Sequence, residues 1–225
     1  MAIDDVVGRI QEVGIVPVVR TATVEEAALA VEAISAGGIP VVEITMTVPN
    51  AISVIREVAQ QYGKQILIGA GTVTTEEQAE SCLRAGAEFL VSPGFAAPVL
   101  EVAKAAKKLA IPGALTPTEL MTAQSHGARL IKIFPCGNVG GAKYLKSLKA
   151  PFPDALLIPT GGVNAANAAE FIAAGAFALG VGADLVDPVA LREGNLQKIT
   201  SAAQELVQAV NAARAALREK KALRV

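Results

Sequence analysis

The stretch His126-Gly127-Ala128-Arg129 joins a helix-like segment to a strand-like one, and the same junction occurs three more times in the chain. The other three copies are Ala36-Gly37-Gly38-Ile39, Ala85-Gly86-Ala87-Glu88 and Ala174-Gly175-Ala176-Phe177. Each copy places a glycine at the end of a helix, where a left-handed residue closes the last turn. A junction that recurs in this way indicates an architecture built from repeated units of two strands and two helices.

Strand-like and helix-like stretches alternate along the whole chain. The predicted strands cover 15–19, 39–45, 65–68, 88–91, 109–111, the segment around Lys132, 155–158 and 177–181, and the predicted helices cover 24–34, 51–61, 76–84, 98–108, 118–124, 142–148, 166–173 and 196–218. Eight such pairs predict an α/β fold, a (β/α)8 TIM barrel that forms a single domain over residues 1–225, with a frayed basic tail from about residue 218. The alternative is an open doubly wound sheet, which usually carries G-x-G-x-x-G after its first strand. Here Val19-Arg20-Thr21 contains no glycine.

Composition narrows the class of protein. The chain is 52% hydrophobic and 18% charged, with a net charge of -1. A mean hydropathy of +0.45 favours self-association. The charge balance points to no nucleic-acid partner, and no long apolar run predicts a membrane span. The acidic start of the chain does not resemble a signal peptide. Cys82 and Cys136 show no metal-ligand or disulfide spacing, so we expect a reducing cytoplasmic location. A single histidine, His126, leaves no multi-histidine metal site and is interpreted as a helix cap.

Lys132 is the candidate catalytic residue. It lies in the middle of Ile131-Lys132-Ile133, an apolar run that reads as a buried strand. Burial disfavours the charged form of a lysine, and a neutral amine is a nucleophile toward ketones and aldehydes. Because strand residues alternate in direction, Lys132 and Glu43 can both point into the barrel. Such a pair suits proton transfer on a carbonyl substrate; the alternative is a structural ion pair in the core.

Two glycine-containing loops follow the last two predicted strands. Gly161-Gly162 comes after strand seven, and Gly180-Val181-Gly182-Ala183 ends strand eight. Loops at these positions of a barrel often hold a phosphate group with free backbone N–H groups. The alternative is that these glycines only permit tight turns.

Four further residues stand at predicted strand ends, where barrels carry their binding groups. Arg20 could bind a substrate carboxylate or be an ordinary surface arginine. Thr72 could donate its hydroxyl to a carboxylate. Phe134 could form a wall of the ketone pocket or serve as ordinary packing, and Pro93 could belong to a turn.

Five motifs in order resemble those of the 2-keto-3-deoxy-6-phosphogluconate (KDPG) aldolases and the bifunctional 4-hydroxy-2-oxoglutarate (KHG) aldolases. The resemblance runs from about Val16 to Leu185. It implies a (β/α)8 barrel, a homotrimer, and an aldolase that forms a Schiff base without metal or cofactor. The motifs are Val42-Glu43-Ile44-Thr45, Gly69-Ala70-Gly71-Thr72-Val73, Val91-Ser92-Pro93-Gly94, Ile131-Lys132-Ile133-Phe134-Pro135 and Pro159-Thr160-Gly161-Gly162-Val163.

The resemblance also implies roles for individual residues. Lys132 would form the Schiff base and Glu43 would be the general acid and base. The pyruvate part of a 2-keto acid substrate would be framed by Thr72, Pro93 and Phe134. Thr160 would contact a substrate hydroxyl, which favours the gluconate over the galactonate epimer. The phosphate would be held by Gly161, Gly162, Gly182 and Ala183.

The chain departs from the family pattern at two positions. Many members have arginine where this chain has Thr47, so carboxylate binding would fall to Arg20 and Thr72. The residue after Gly182 is often serine and is here Ala183, which removes a hydroxyl from the phosphate loop. A substrate without phosphate becomes more plausible for this reason.

The predicted function is therefore aldol cleavage of KDPG to pyruvate and glyceraldehyde 3-phosphate, or of 4-hydroxy-2-oxoglutarate to pyruvate and glyoxylate. One alternative is a phosphate-binding barrel isomerase in which Glu43 is a base and Lys132 an electrostatic clamp. Another is a non-catalytic, self-assembling barrel subunit.

Overall fold

The computed structural model describes residues 1–222, in which parallel strands alternate with helices. The strands are β1 (Ile15–Val19), β2 (Val41–Thr45), β3 (Leu67–Gly71), β4 (Phe89–Val91), β5 (Leu109–Ile111), β6 (Gly113–Ala114), β7 (Leu130–Ile133), β8 (Leu156–Pro159) and β9 (Leu179–Val181). The α-helices are α1 (Ile3–Val13), α2 (Val24–Ala36), α3 (Ala51–Tyr62), α4 (Glu76–Ala85), α5 (Ala97–Ala105), α6 (Pro117–Ser125), α7 (Gly141–Lys149), α8 (Ala168–Ala173), α9 (Pro188–Arg192) and α10 (Leu196–Ala222). A short 3-10 helix covers Gly137–Val139.

The strands form a six-stranded sheet in the order β5-β4-β3-β2-β1-β9 and a three-stranded sheet in the order β6-β7-β8. The two sheets meet at Pro112, which separates β5 from β6 and whose carbonyl accepts a 2.9 Å hydrogen bond from Lys132 N. They also meet after β8, where Thr160 forms a parallel bridge with Gly180 of β9. The result is an α/β fold with a curled parallel sheet, in agreement with the predicted class.

Apolar side chains pack on both faces of the sheet. Val42 and Ile44 belong to the larger cluster, which lies between the strands and the helices. Val41 and Leu67 belong to the smaller cluster on the inner face, together with Ile10 of α1. Most strand members of this inner cluster stand at or near the amino ends of their strands, so α1 covers that end of the sheet. The carboxyl ends are left to carry a site.

The structure contains elements that the sequence analysis did not predict, namely α1, α9 and the 3-10 helix. The fifth predicted strand is confirmed as β5, and a further short strand that was not predicted, β6, follows it after Pro112, which has no N–H to donate to the sheet. The last helix continues to Ala222 rather than ending at Arg218. The remainder of the predicted basic tail lies outside the described residues.

Three of the four junction glycines have the expected left-handed backbone, with φ of 112° at Gly86, 83° at Gly127 and 95° at Gly175. The first junction differs, since Gly37 has a φ of -79° and Gly38 takes the left-handed position at 92°. Gly37 has another reason to lack a side chain. A Cβ atom there would lie 2.4 Å from Ala203 Cβ of α10, so glycine allows the two helices to pack closely.

Within residues 1–222, every helix is too short or too polar to span a bilayer.

Candidate active site

Glu43 and Lys132 face each other on the inner side of the curled sheet. Each is the third residue of its strand, β2 and β7, and Lys132 Nζ lies 3.5 Å from Glu43 Oε1. Their side chains are only 2% and 9% exposed, respectively. The flanking residues Ile131 and Ile133 pack in the helix-side cluster, as the alternation of strand residues predicts. The structure therefore brings together the carboxylate and the amine that the sequence analysis singled out.

The carboxylate of Glu43 is only partly satisfied. Among the described residues, Glu43 Oε1 is a buried side-chain atom without a hydrogen-bond partner, and its separation of 3.5 Å from Lys132 Nζ marks an ion pair rather than a short hydrogen bond. Buried polar atoms are usually paired with protein or water, so an unpartnered one needs a reason. An oxygen of this kind is free to accept a proton or a hydrogen bond from a bound molecule.

Phe134 lies beside the amine, one residue beyond β7. Its ring centroid is 5.4 Å from Lys132 Nζ, within the range of a cation–π contact when the lysine is charged. The residue is 36% exposed, whereas Lys132 is 7% exposed. The partly exposed aromatic ring therefore lies beside the buried amine.

Buried hydroxyl groups lie near the same ends of the strands. Thr160, directly after β8, is 6% exposed, and its Oγ1 donates to Ile158 O at 3.3 Å. Thr45 is fully buried at the end of β2, and its Oγ1 lies 2.7 Å from Thr47 Oγ1. Ser92 is also buried and donates to Gly94 O at 2.7 Å. Thr45 and Ser92 were not predicted to be site residues. The two-residue spacing nevertheless places Thr45 on the same face of β2 as Glu43.

The remaining rim residues also follow strand ends. Arg20 follows β1 and is exposed, with no hydrogen bond or ion pair to another described side chain or backbone group. Thr72 follows β3, is half-buried and has a φ of 58°, while Pro93 follows β4 and is half-buried. Because the strands are parallel, all three lie at the same end of the sheet as Glu43 and Lys132.

The two glycine loops are neighbours because β8 and β9 are joined by the bridge between Thr160 and Gly180. Gly161 and Gly162 both have left-handed backbones, with φ of 89° and 73°. Within the described part of the chain, the backbone N–H groups of Gly162 and Gly182 donate no hydrogen bond to another backbone group in these loops. Ala183 follows Gly182 and is exposed. Free N–H groups on adjacent loops are suited to an anion.

His126 and the two cysteines take structural positions. His126 caps the carboxyl end of α6, and its Nδ1 lies 2.9 Å from Thr122 O. Cys136 is fully buried, and burial raises the pKa of its thiol to about 11. Burial raises the pKa of the Cys82 thiol to about 12. The interpretation of His126 as a helix cap is confirmed, and Cys136 packs as a small apolar side chain in the core.

Comparison with known proteins gives a consistent result. The model of the KDPG and KHG aldolase family matches residues 6–202. The KHG/KDPG aldolase of Escherichia coli (strain K12) is 35% identical over 194 residues, which cover 86% of this chain and 91% of the relative.

Solved structures agree with this match. A KDPG aldolase from Legionella pneumophila, with pyruvate captured at low pH as a covalent carbinolamine intermediate, has a TM-score of 0.82 at 31% identity. The aligned parts are 89% of this chain and 97% of that one. A cube-shaped, highly porous protein cage, designed by fusing symmetric oligomeric domains, has a TM-score of 0.86 at 30% identity, over 95% of this chain and 77% of that one. With the family model matching residues 6–202 and a 35% identical relative covered over 91% of its length, the chain belongs to the KDPG and KHG aldolase family.

Proposed function

We propose that this protein is a Schiff-base aldolase that cleaves 2-keto-3-deoxy-6-phosphogluconate to pyruvate and glyceraldehyde 3-phosphate, and also 4-hydroxy-2-oxoglutarate to pyruvate and glyoxylate. The observation that carries the proposal is the buried pair of Lys132 and Glu43, with Nζ and Oε1 3.5 Å apart at the carboxyl ends of the strands. The covalent carbinolamine of pyruvate in the related Legionella enzyme supports the same chemistry.

The reaction follows from the two groups. The neutral amine of Lys132 adds to the C2 ketone, and the resulting carbinolamine takes up a proton and loses water to give a cationic imine. Glu43, directly or through a water molecule, takes the proton of the C4 hydroxyl as the C3–C4 bond breaks. The bonding electrons pass into the imine and form an enamine, and the aldehyde leaves. Glu43 then returns the proton to C3, and water hydrolyses the cationic imine to pyruvate and the free amine with release of the proton taken up when the imine formed.

The rim residues would bind and orient the substrate. We propose that Thr72, Pro93 and Phe134 frame the pyruvate part and that Thr160 contacts a substrate hydroxyl. Arg20 would bind the carboxylate, since Thr47 carries no charge. The phosphate would lie against the loops of Gly161, Gly162, Gly182 and Ala183, and the unoccupied N–H groups of Gly162 and Gly182 support this assignment.

We also propose that the curled sheet closes into a single (β/α)8 barrel domain and that the protein forms a homotrimer. The bridge between Thr160 and Gly180, and the 2.8 Å hydrogen bond from Phe177 N to Leu157 O, support closure between β8 and β9. Exposed apolar side chains, among them Met121 and Val189, support self-association. The two buried, unpaired cysteines support the expectation of a reducing cytoplasm.

The two alternatives make different demands on the site. A phosphate-binding isomerase would not form a covalent adduct with pyruvate. A non-catalytic assembly subunit, for which the similarity to the designed cage is the relevant observation, would not need an inward-facing lysine beside a carboxylate. The geometry of Glu43 and Lys132 and the family membership favour the aldolase over both.

The direct test is pyruvate release from phosphorylated and unphosphorylated 2-keto acids, compared by kcat/KM. We expect turnover of at least one of them, and a loss of several orders of magnitude in Lys132→Met. Glu43→Gln keeps the size of the side chain but removes the base, and we expect a loss of roughly 100-fold to 10,000-fold. Wild-type protein that is folded but releases no pyruvate from any of these substrates would contradict the proposal.

A further inference from the structure

Gly71, the last residue of β3, lies directly against the carboxylate of Glu43. A Cβ atom at position 71 would be 1.8 Å from Glu43 Oε1, 2.4 Å from its Cδ and 2.5 Å from its Cγ. Non-bonded carbon atoms pack at roughly 3.5–4.0 Å. The Glu43 side chain therefore occupies the space that any side chain at position 71 would need.

Backbone conformation does not explain this glycine. Gly71 is absent from the set of residues with positive φ, so its backbone lies in a region open to ordinary L residues. The next residue, Thr72, does have a left-handed backbone, with a φ of 58°, and yet carries a β-branched side chain. A glycine selected for backbone freedom would stand at position 72. The absence of a side chain falls instead where it makes room for the carboxylate.

The backbone around Gly71 cannot move away to accept a side chain. β2 and β3 are paired through five consecutive residue pairs that end with Thr45 opposite Gly71. Gly71 O also accepts a 2.8 Å hydrogen bond from Met46 N, just beyond the end of β2. A methyl group at position 71 would therefore displace the carboxylate of Glu43 rather than the strand.

We propose that Gly71 is a positioning residue. Because it has no side chain, it leaves the space in which the Glu43 carboxylate lies within reach of Lys132 and of the reacting carbon atoms. The inference rests on the proposed function. Two other sheet glycines stand in the same relation to predicted site residues. A Cβ atom at Gly180 would be 2.0 Å from Thr160 Oγ1, and one at Gly113 would be 2.2 Å from Pro93 O.

The first test measures stability and does not depend on activity. We expect Gly71→Ala to lower the urea midpoint of unfolding in the wild-type background and to cause less than half of that loss in a Glu43→Ala background. Glu43→Ala removes the three atoms that lie nearest to a Cβ atom at position 71. Alanine in an allowed backbone conformation also reduces the entropy of the unfolded chain, which favours folding. Equal losses in both backgrounds would overturn the proposal. If Gly71→Ala alone folds poorly, the comparison still decides, because the proposal predicts that adding Glu43→Ala restores folding.

The second test separates the carboxylate from the lysine. In D2O, the enzyme should remove a C3 proton from the pyruvate imine and return a deuteron, so NMR follows the exchange of the pyruvate methyl hydrogens. We expect Gly71→Ala to lower the rate of exchange roughly 100-fold, as a misplacement of about 1 Å can do. At a saturating concentration of pyruvate, borohydride reduction should still modify Lys132 in this variant.

Gly69→Ala is the matched control. Position 69 is on the same strand and the same face, but its Cβ atom would meet the Phe89 ring at 2.3 Å rather than Glu43. We expect this variant to lose stability and to keep exchange in the folded fraction. Exchange in Gly71→Ala within threefold of wild type, or an equal loss in Gly69→Ala, would overturn the positioning role while leaving the proposed function intact. Wild-type protein that neither traps pyruvate nor exchanges its hydrogens would overturn both.

Discussion

At the residue scale, the proposed chemistry rests on two buried ionisable side chains that have almost no other partners. Glu43 and Lys132 contact each other at 3.5 Å, and Glu43 Oε1 lacks a hydrogen bond within the described residues. Burial of charged groups is costly unless they are paired, and a pair held only loosely contributes little to stability. Such an arrangement is expected where residues are retained for reaction rather than for folding.

Arg20 is an exposed cation that directly follows β1, at the end of the sheet that carries the site. We expect it to bind the substrate carboxylate. Arg20→Ala should raise KM for the 2-keto acid about tenfold with a smaller effect on kcat, because a charge-assisted hydrogen bond is worth about 1.5–3 kcal/mol. Steady-state kinetics would measure both constants. Arg56→Ala, on the exposed face of α3, is the control and should leave KM unchanged. An unchanged KM in Arg20→Ala would remove this residue from the site.

Cys136 should be inert in the folded protein. Burial raises the pKa of its thiol to about 11, so at about pH 8 very little reactive thiolate is present. We expect iodoacetamide to modify neither Cys136 nor Cys82 at this pH until denaturant is added, as read by mass spectrometry. Raising the pH toward 11 should increase the thiolate fraction of Cys136 before that of Cys82, whose pKa is about 12. Rapid labelling of native protein at pH 8 would contradict the burial.

At the scale of elements, the strands and most helices could be predicted because each glycine junction marks where a helix ends and the next strand begins. α1 could not, because the repeat has no equivalent helix before β1. Its role is visible only in three dimensions, where Ile10 packs with Val41 and Leu67 on the inner face of the sheet. The close approach of Gly71 to Glu43 also lies outside sequence reasoning, since it depends on the register between β2 and β3.

The covering role of α1 predicts a large effect from a single core substitution. Ile10 is fully buried, so Ile10→Ala should destabilise the protein by about 2–5 kcal/mol through lost burial and a residual cavity. Urea unfolding followed by circular dichroism measures the change. Gln11→Ala, exposed on the same helix, should change stability by less than about 0.5 kcal/mol. Similar small effects in both variants would show that α1 is not part of the core.

At the scale of the whole molecule, several large apolar side chains are exposed on the surface. Met121, Val139, Val189 and Phe134 are all exposed by more than a third. Self-association would remove such surface from water. We expect light scattering after gel filtration to give three times the 23.0 kDa mass of the chain. A mass of 23.0 kDa across the working concentration range would contradict the homotrimer, and a much larger particle would favour the assembly subunit.

We propose that Lys132 forms a covalent imine with the ketone of its substrate, and borohydride trapping tests this most directly. Protein incubated with pyruvate and borohydride should gain the mass of one reduced pyruvyl group for each chain, and peptide mapping should locate that group on Lys132. Lys132→Met, folded by circular dichroism, should gain nothing. A wild-type protein that remains unmodified, or an adduct on any other lysine, would contradict the account.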